Sequence, residues 1–136
     1  MIDYKRNNKI TLRNFNKKVD LHDLIKTLLV RMLRRKHPDN NKCQIYTEFN
    51  LDSPNTSYPD VYMCLTKGLN NEVYVYEIQG NYSKKWLKSK QLEYENVNLF
   101  IPINLNEVRD EWNKLIKEDN TDILELLRNI LDKYIL

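Results

Sequence analysis

Apolar and polar residues follow a helical pattern over a long stretch near the beginning of the chain. From position 21 the apolar residues keep the i, i+3, i+4, i+7 spacing, at Leu21, Leu24, Ile25, Leu28, Leu29, Met32 and Leu33. This spacing predicts an amphipathic helix that Asp20 caps and that ends before Pro38. The polar side of the predicted helix carries the basic residues Lys26, Arg31, Arg34 and Arg35.

Three runs rich in aromatic and β-branched residues follow this helix. They are Cys43–Leu51, Pro59–Thr66 and Glu72–Gln79. Such runs, with turn residues between them, are typical of β-strands. The segment KGLNN at 67–71 supplies the glycine and asparagines of a hairpin loop. The pattern therefore predicts an antiparallel meander of three strands.

A second helix and a fourth strand come next. Ser83 can cap a helix through about Glu95. The apolar residues of that segment are Trp86, Leu87, Leu92 and Tyr94. With so few of them, much of the helix surface must face water or a ligand. The nearly continuous apolar run Val97–Leu105 predicts a strand covered on both faces, while Pro102 within it indicates an edge position or the strand end.

Two further helices are predicted at Glu107–Lys117 and from Thr121 to the last residue, which completes an αβββαβαα order. The helix between the third and fourth strands makes a crossover and lies across one face of the sheet. We therefore expect an α/β fold. At 136 residues the chain has the length of one domain, with residues 1–20 as a flexible basic arm or short edge strand, 21–105 as the core and 106–136 as C-terminal helices.

Composition indicates a soluble globular protein. The chain is 41% hydrophobic and 30% charged, with no long apolar run and no leader-like segment at Met1. We expect a cytoplasmic protein without membrane contacts. Cys43 and Cys64 lack the spacing of a zinc or disulfide motif, so both are interpreted as small hydrophobic residues.

Positive charge is concentrated in the N-terminal third of the chain. Residues 1–43 hold twelve of the 22 Lys and Arg residues but only four of the 19 acidic residues. Such clustering can bind a polyanion. The alternative interpretation is a solvated helix face together with a frayed tail.

Two acidic residues are expected at the same end of the predicted meander. Asp60 opens the second strand and Glu77 lies near the end of the third, so antiparallel pairing makes them neighbours, with Glu48 on the first strand. Two partly dehydrated carboxylates repel one another unless a proton or a cation lies between them. Oxygen ligands from one or two carboxylates are what Mg²⁺ accepts. The sequence therefore predicts a divalent metal site here.

These residues resemble the motif of the PD-(D/E)XK nuclease superfamily, which includes restriction endonucleases and Holliday-junction resolvases. The motif stands here as Pro59-Asp60 and Glu77-Ile78-Gln79, and the resemblance covers Leu21 to Leu105. More narrowly, EIQGNYSKKWLKSKQLEYENVNLFIPI is similar to CoiA-like nucleases.

The resemblance implies a restriction-endonuclease-like αβββαβ core and a DNA endonuclease that uses Mg²⁺ or Mn²⁺. Asp60, Glu77 and the Ile78 main-chain carbonyl would bind the metal, with Glu48 as an additional acid. Gln79 departs from the pattern, because most members have a lysine there that positions the attacking water. The role of that lysine would pass to Gln79 together with Lys84 or Lys85. The DNA-binding residues would be Lys26, Arg31, Arg34, Arg35, Lys84 and Lys88.

The departure at Gln79 keeps a second interpretation open. In it, the chain is a catalytically inactive nuclease-like module of a mobile element that binds DNA or another protein. His22 and His37 match no catalytic motif and are interpreted as structural. The apolar C-terminal helix from Ile123 could pair two copies into a homodimer or belong to the core.

Overall fold

The protein is a mixed α/β fold, seen in a computed structural model that describes residues 7, 21–48, 58–115 and 123–136. The elements are α1 (Leu21–Lys36), β1 (Cys43–Thr47), β2 (Val61–Lys67), β3 (Asn70–Gln79), α2 (Lys84–Glu93), β4 (Leu99–Asn104), α3 (Leu105–Leu115) and α4 (Ile123–Leu131), then a 3₁₀ turn at Asp132–Tyr134. The predicted element order is confirmed. The predicted N-cap, the basic arm and the end of the first strand lie outside the described residues.

The four strands form one mixed sheet in the order β1-β2-β3-β4. The first two pairings are antiparallel and the β3–β4 pairing is parallel. A two-residue turn joins β2 to β3. Gly68 in this turn has φ +62°, a backbone conformation in which a residue with a side chain would be strained. β4 is an edge strand, as Pro102 predicted.

The hydrophobic core lies between one face of the sheet and helices α1, α3 and α4. Alternate residues of the central strands, such as Met63, Tyr76 and Ile78, pack there against the apolar stripe of α1. Leu127 and Leu131 of α4 are fully buried in the same cluster, so the apolar face of this helix is part of the core.

The other face of the sheet is covered more loosely by α2. Ser83 caps this helix as predicted, its Oγ accepting a 3.1 Å hydrogen bond from the Trp86 N–H. None of the ten residues of α2 is buried. In β4 only Ile103 is buried, so the expectation of a strand covered on both faces is wrong. The loose covering by α2 explains the difference.

One residue assigned to the exposed basic side of α1 lies inside the protein. The side chain of Lys26 is fully buried, so its placement on a DNA-binding surface is wrong. The beginning of α1 rests on the end of the sheet, and His22 and Asp23 are buried there too. Within the described part of the chain, none of the helices has the length and apolarity to cross a membrane.

Arg34 ties the end of α1 to β1. Its guanidinium donates to the carbonyls of His37 at 3.1 Å and Cys43 at 2.9 Å, whereas Arg31 and Arg35 are exposed. Replacing Arg34 by Met leaves those carbonyls without their charged donor. We expect Arg34→Met to lower the free energy of unfolding by about 1–3 kcal/mol.

Arg35→Met is the matched control, since it removes the same charge from an exposed site. It should change the free energy of unfolding by about 0.5 kcal/mol or less. Urea denaturation followed by circular dichroism measures both. Equal effects of the two substitutions would show that the Arg34 hydrogen bonds do not stabilise the α1–β1 connection.

Candidate metal centre

Two buried carboxyl groups meet at the end of the sheet where β2 begins and β3 ends. The register pairs Val61 with Tyr76, which sets Asp60 beside Glu77 on the adjoining strand. Asp60 is 1% exposed and Glu77 is 8% exposed. Antiparallel pairing thus brings together the two acids that the sequence pattern singles out.

Asp60 is held from two sides. The Ile78 N–H donates a 2.7 Å hydrogen bond to its Oδ2, and the His22 Nε2 lies 3.2 Å from its Oδ1. In an antiparallel strand the N–H and C=O of one residue point to the same neighbour. Because β2 starts at Val61, we expect the Ile78 carbonyl to point past the start of β2, toward the same space as the Asp60 carboxyl.

Glu77 is held by the last turn of α2 and the residue that follows it. The Tyr94 hydroxyl donates a 2.7 Å hydrogen bond to Glu77 Oε1, and Lys90 Nζ lies 3.8 Å from the same oxygen. Burial, and then the negative charge of Asp60, raise the pKa of Glu77 to about 8. Burial followed by the charge of Glu77 also raises the pKa of Tyr94, so its hydroxyl stays a proton donor.

A second cluster of charges lies next to Asp60, at the beginning of α1. Lys26 Nζ is 3.3 Å from Glu48 Oε1 and 3.7 Å from Asp23 Oδ1, and His22 Nδ1 is 3.3 Å from the same Asp23 oxygen. Glu48 has φ 48°, and its N–H donates to the Asp60 carbonyl at 3.4 Å. The structure thus places the Glu48 carboxyl against Lys26, while the main chain of Glu48 is hydrogen-bonded to that of Asp60.

The other residues predicted for the site lie farther out. The Gln79 side-chain amide donates to the Asn81 carbonyl at 3.2 Å, in the loop before α2. Lys84, Lys85 and Lys88 are exposed. The assignment of Gln79, Lys84 and Lys85 to catalysis stays a prediction.

Three side chains of this site, those of His22, Lys90 and Tyr94, do not follow from the motif. A spacing of four residues separates Trp86, Lys90 and Tyr94, which places them on one side of the predicted second helix. This spacing could have indicated that Lys90 and Tyr94 face the sheet. The apolar pattern alone assigns Tyr94 only to the apolar side of the helix. His22 could not have been found this way, because its contact with Asp60 depends on where α1 packs.

The donor set suits a hard divalent cation. Two carboxylates and a main-chain carbonyl are the oxygen ligands that Mg²⁺ and Mn²⁺ take, with water filling the remaining positions. Among the described residues, no group of three or more His, Cys, Asp or Glu side chains is arranged to hold a metal. Asp60 and Glu77 would therefore hold an ion as a pair, together with Ile78.

No family model, no curated protein and no solved structure matches this chain. The chemistry of the site therefore has to be inferred from its own residues.

The raised pKa of Glu77 makes the stability of the protein depend on pH. The folded protein holds a proton on Glu77 up to a pH of about 8, whereas the unfolded chain loses it near the ordinary value of 4.5. The contribution of this proton to the stability of the folded protein is complete below a pH of 4.5 and is lost as the pH rises toward 8. In EDTA the free energy of unfolding should fall by up to about 1.4 kcal/mol per pH unit across this window.

Glu77→Gln should flatten that slope, because its amide does not titrate. Glu107→Gln, at an exposed position of α3, is the control and should keep the wild-type slope. Urea denaturation at a series of pH values measures all three proteins. A wild-type slope in Glu77→Gln would contradict the assignment of this proton to Glu77.

Proposed function

We propose that this protein is a metal-dependent nuclease of the PD-(D/E)XK type that hydrolyses phosphodiester bonds in DNA. The observation that carries the proposal is the convergence of the buried Asp60 and Glu77 carboxyls on adjoining strands. Antiparallel β1–β2–β3 pairing followed by a parallel β4 after a crossover helix supports the restriction-endonuclease-like core that the resemblance implies.

Burial of the two acids favours a cation between them. A pair of buried carboxylates is stable only when a proton or a positive ion offsets the cost of burial and the repulsion, and burial, followed by the charge of Asp60, raises the pKa of Glu77. A divalent ion would take the place of the Glu77 proton. Mg²⁺ or Mn²⁺ bound by Asp60, Glu77 and the Ile78 carbonyl would polarise a phosphoryl oxygen and lower the pKa of a bound water.

The surrounding residues keep the two acids in place. The Ile78 N–H fixes the Asp60 carboxyl, beside which the His22 imidazole packs, and the Tyr94 hydroxyl fixes the Glu77 carboxyl. Contacts of this kind orient metal ligands and tune their affinity. They hold the oxygens at the sheet end before substrate arrives, which lowers the cost of reorganisation during the reaction.

Lys90 is the cation of α2 whose ammonium contacts the acid pair. It lies 3.8 Å from Glu77 and shares its charge with Glu93 at 2.8 Å. Because Gln79 brings no positive charge, we assign to Lys90 the stabilisation of negative charge on the phosphate, while Gln79 orients the attacking water. Lys84 and Lys85, on the exposed side of the same helix, would contact the DNA backbone instead.

Exposed basic residues lie on the two helices that contact the acid pair. Lys88 belongs to α2, and Arg31 and Arg35 belong to the second half of α1. Their positive charge would attract the phosphate backbone of DNA. Arg34 is engaged with the main chain of β1, so its contribution to binding would be indirect.

The second candidate function is a nuclease-like module without catalysis, which binds DNA or another protein. The glutamine at position 79 favours it, since this residue lacks the charge that the usual lysine supplies. The two candidates differ in whether the Asp60–Glu77 pair binds a divalent ion and whether DNA is cut.

Substitution of Asp60 tests the proposed function directly. Asp60→Asn removes a ligand charge while keeping the side-chain shape. We expect Mn²⁺ affinity, measured by calorimetry, and cleavage of plasmid or branched DNA each to fall at least about 100-fold. Asp110→Asn, at an exposed position of α3, is the control and should behave as wild type.

Thermal unfolding of each variant shows that the fold is kept. Full cleavage by a folded Asp60→Asn protein would overturn the nuclease assignment. Absence of both metal binding and cleavage in the wild type would favour the inactive module.

Replacement of Lys90 separates its role from metal binding. Lys90→Met removes a positive charge beside Glu77, so the affinity for Mn²⁺ should stay the same or rise, because a competing cation is gone. The rate of the chemical step, in single turnovers at saturating metal, should fall about 10- to 100-fold. Lys90→Arg should restore part of that rate.

Lys84→Met is the matched control, because it removes the same charge from an exposed site of the same helix. It should leave the single-turnover rate unchanged at saturating DNA. A loss in Lys84→Met equal to that in Lys90→Met would contradict a specific role for Lys90.

A further inference from the structure

A row of aromatic rings runs from the loop before α2, along the side of α2 that faces the sheet, to the acid pair. The ring centroids of Tyr82 and Trp86 are 5.1 Å apart, those of Trp86 and Phe100 are 6.4 Å apart, and those of Phe100 and Tyr94 are 5.4 Å apart. Tyr94 then contacts Glu77 through its 2.7 Å hydrogen bond. The row therefore ends at the residues proposed to bind the metal.

The outer rings of this row remain partly open to solvent. Tyr82, Trp86 and Phe100 are all half-buried, although large aromatic side chains contribute most when they are fully buried. Tyr94, at the acid pair, is the buried member of the row. The three outer rings thus leave part of their apolar surface accessible.

Positive charge lies on the solvent side of the helix that carries Trp86. α2 contains four lysines and a single glutamate. Lys84, Lys85 and Lys88 are exposed and lie within two positions of Trp86 in the sequence. Lys84 and Lys88 lie about 160° around the helix from Trp86, so the charges occupy the solvent side of α2 and the rings the side nearer the sheet. The rings and charges together match a ligand with a polyanionic backbone and flat apolar groups.

The basic residues of α1 are placed less well for such a ligand at the acid pair. His22 marks the end of α1 that touches Asp60, and Arg31 and Arg35 lie about 14 and 20 Å farther along the axis. α2, by contrast, contacts Glu77 directly through Lys90. A ligand that reaches the acid pair would therefore run along α2.

We propose that α2 binds single-stranded DNA and directs it to the acid pair, using the three exposed lysines of its solvent side and the half-buried rings of Tyr82, Trp86 and Phe100. Unpaired bases offer a flat face to an aromatic ring, whereas the bases of a duplex are stacked on one another. Phosphates of the same strand would contact the lysines. The claim that this strand is the substrate rests on the proposed nuclease function. The claim that the strand binds to α2 does not depend on that function.

Binding in EDTA tests the inference apart from cleavage. Anisotropy of a labelled oligothymidine of about 20 nucleotides should show clearly tighter binding than a blunt duplex of equal length. In a Trp112→Phe background, where Trp86 is the remaining tryptophan of the two in the chain, the same oligonucleotide should quench its fluorescence. Duplex binding as tight as single-strand binding would overturn the proposal.

Two substitutions separate the charges from the rings. Combined Lys84→Gln, Lys85→Gln and Lys88→Gln should reduce the slope of log K against log salt by about 2, because each neutralised phosphate of a single strand contributes about 0.7. Trp86→Leu should weaken binding about tenfold, while Trp86→Phe keeps most of the affinity. Thermal unfolding identifies any variant that fails to fold. If Trp86→Leu does not fold, the affinity of Trp86→Phe and the salt slope of the lysine variant decide the outcome.

The matched control removes three exposed lysine charges elsewhere, through Lys36→Gln, Lys67→Gln and Lys133→Gln. An equal loss of affinity in this control would overturn the assignment to α2. Intact binding without any cleavage by the wild type would overturn the nuclease proposal alone.

Discussion

The burial of two facing carboxyl groups at one end of the sheet is the constraint on which the candidate site depends. It exists only in the observed register of β2 and β3, where Val61 pairs with Tyr76. Slippage by one residue would turn Glu77 to the opposite face, into the core beside α1. The apolar Tyr76 and Ile78, buried on that face, oppose such a slip. Packing of the core thus enforces a geometry that is unfavourable for the acids themselves.

The two faces of the sheet serve different purposes. One face buries the apolar stripes of α1 and α4 and supplies most of the stability. The other carries α2, which has no buried residue and is attached through aromatic rings near Trp86. A loosely attached helix can carry lysines and half-buried rings without weakening the core. The acid pair lies on the side of α2, whose Lys90 contacts Glu77.

The sequence predicted the element order and the meeting of Asp60 with Glu77, because strand alternation and antiparallel pairing depend on local pattern. It could not predict the burial of Lys26. A helical wheel shows which side is polar, but the position of α1 over the sheet end is decided by tertiary packing. Helix periodicity could have predicted that Lys90 faces the sheet and contacts Glu77. The contact of His22 with Asp60 could not be predicted in this way, because it depends on how α1 packs in the folded protein.

The charges gathered around the acid pair argue for a further cation. The carboxyls of Asp23, Glu48, Asp60 and Glu77 lie here with the ammonium groups of Lys26 and Lys90 and the imidazole of His22. Lys26 contacts both Asp23 and Glu48, and Lys90 also pairs with Glu93. Burial, and then the negative charge of Asp60, raise the pKa of Glu77 to about 8. A proton balances that charge at neutral pH, and a divalent ion would balance it while placing a Lewis acid at the end of the aromatic row.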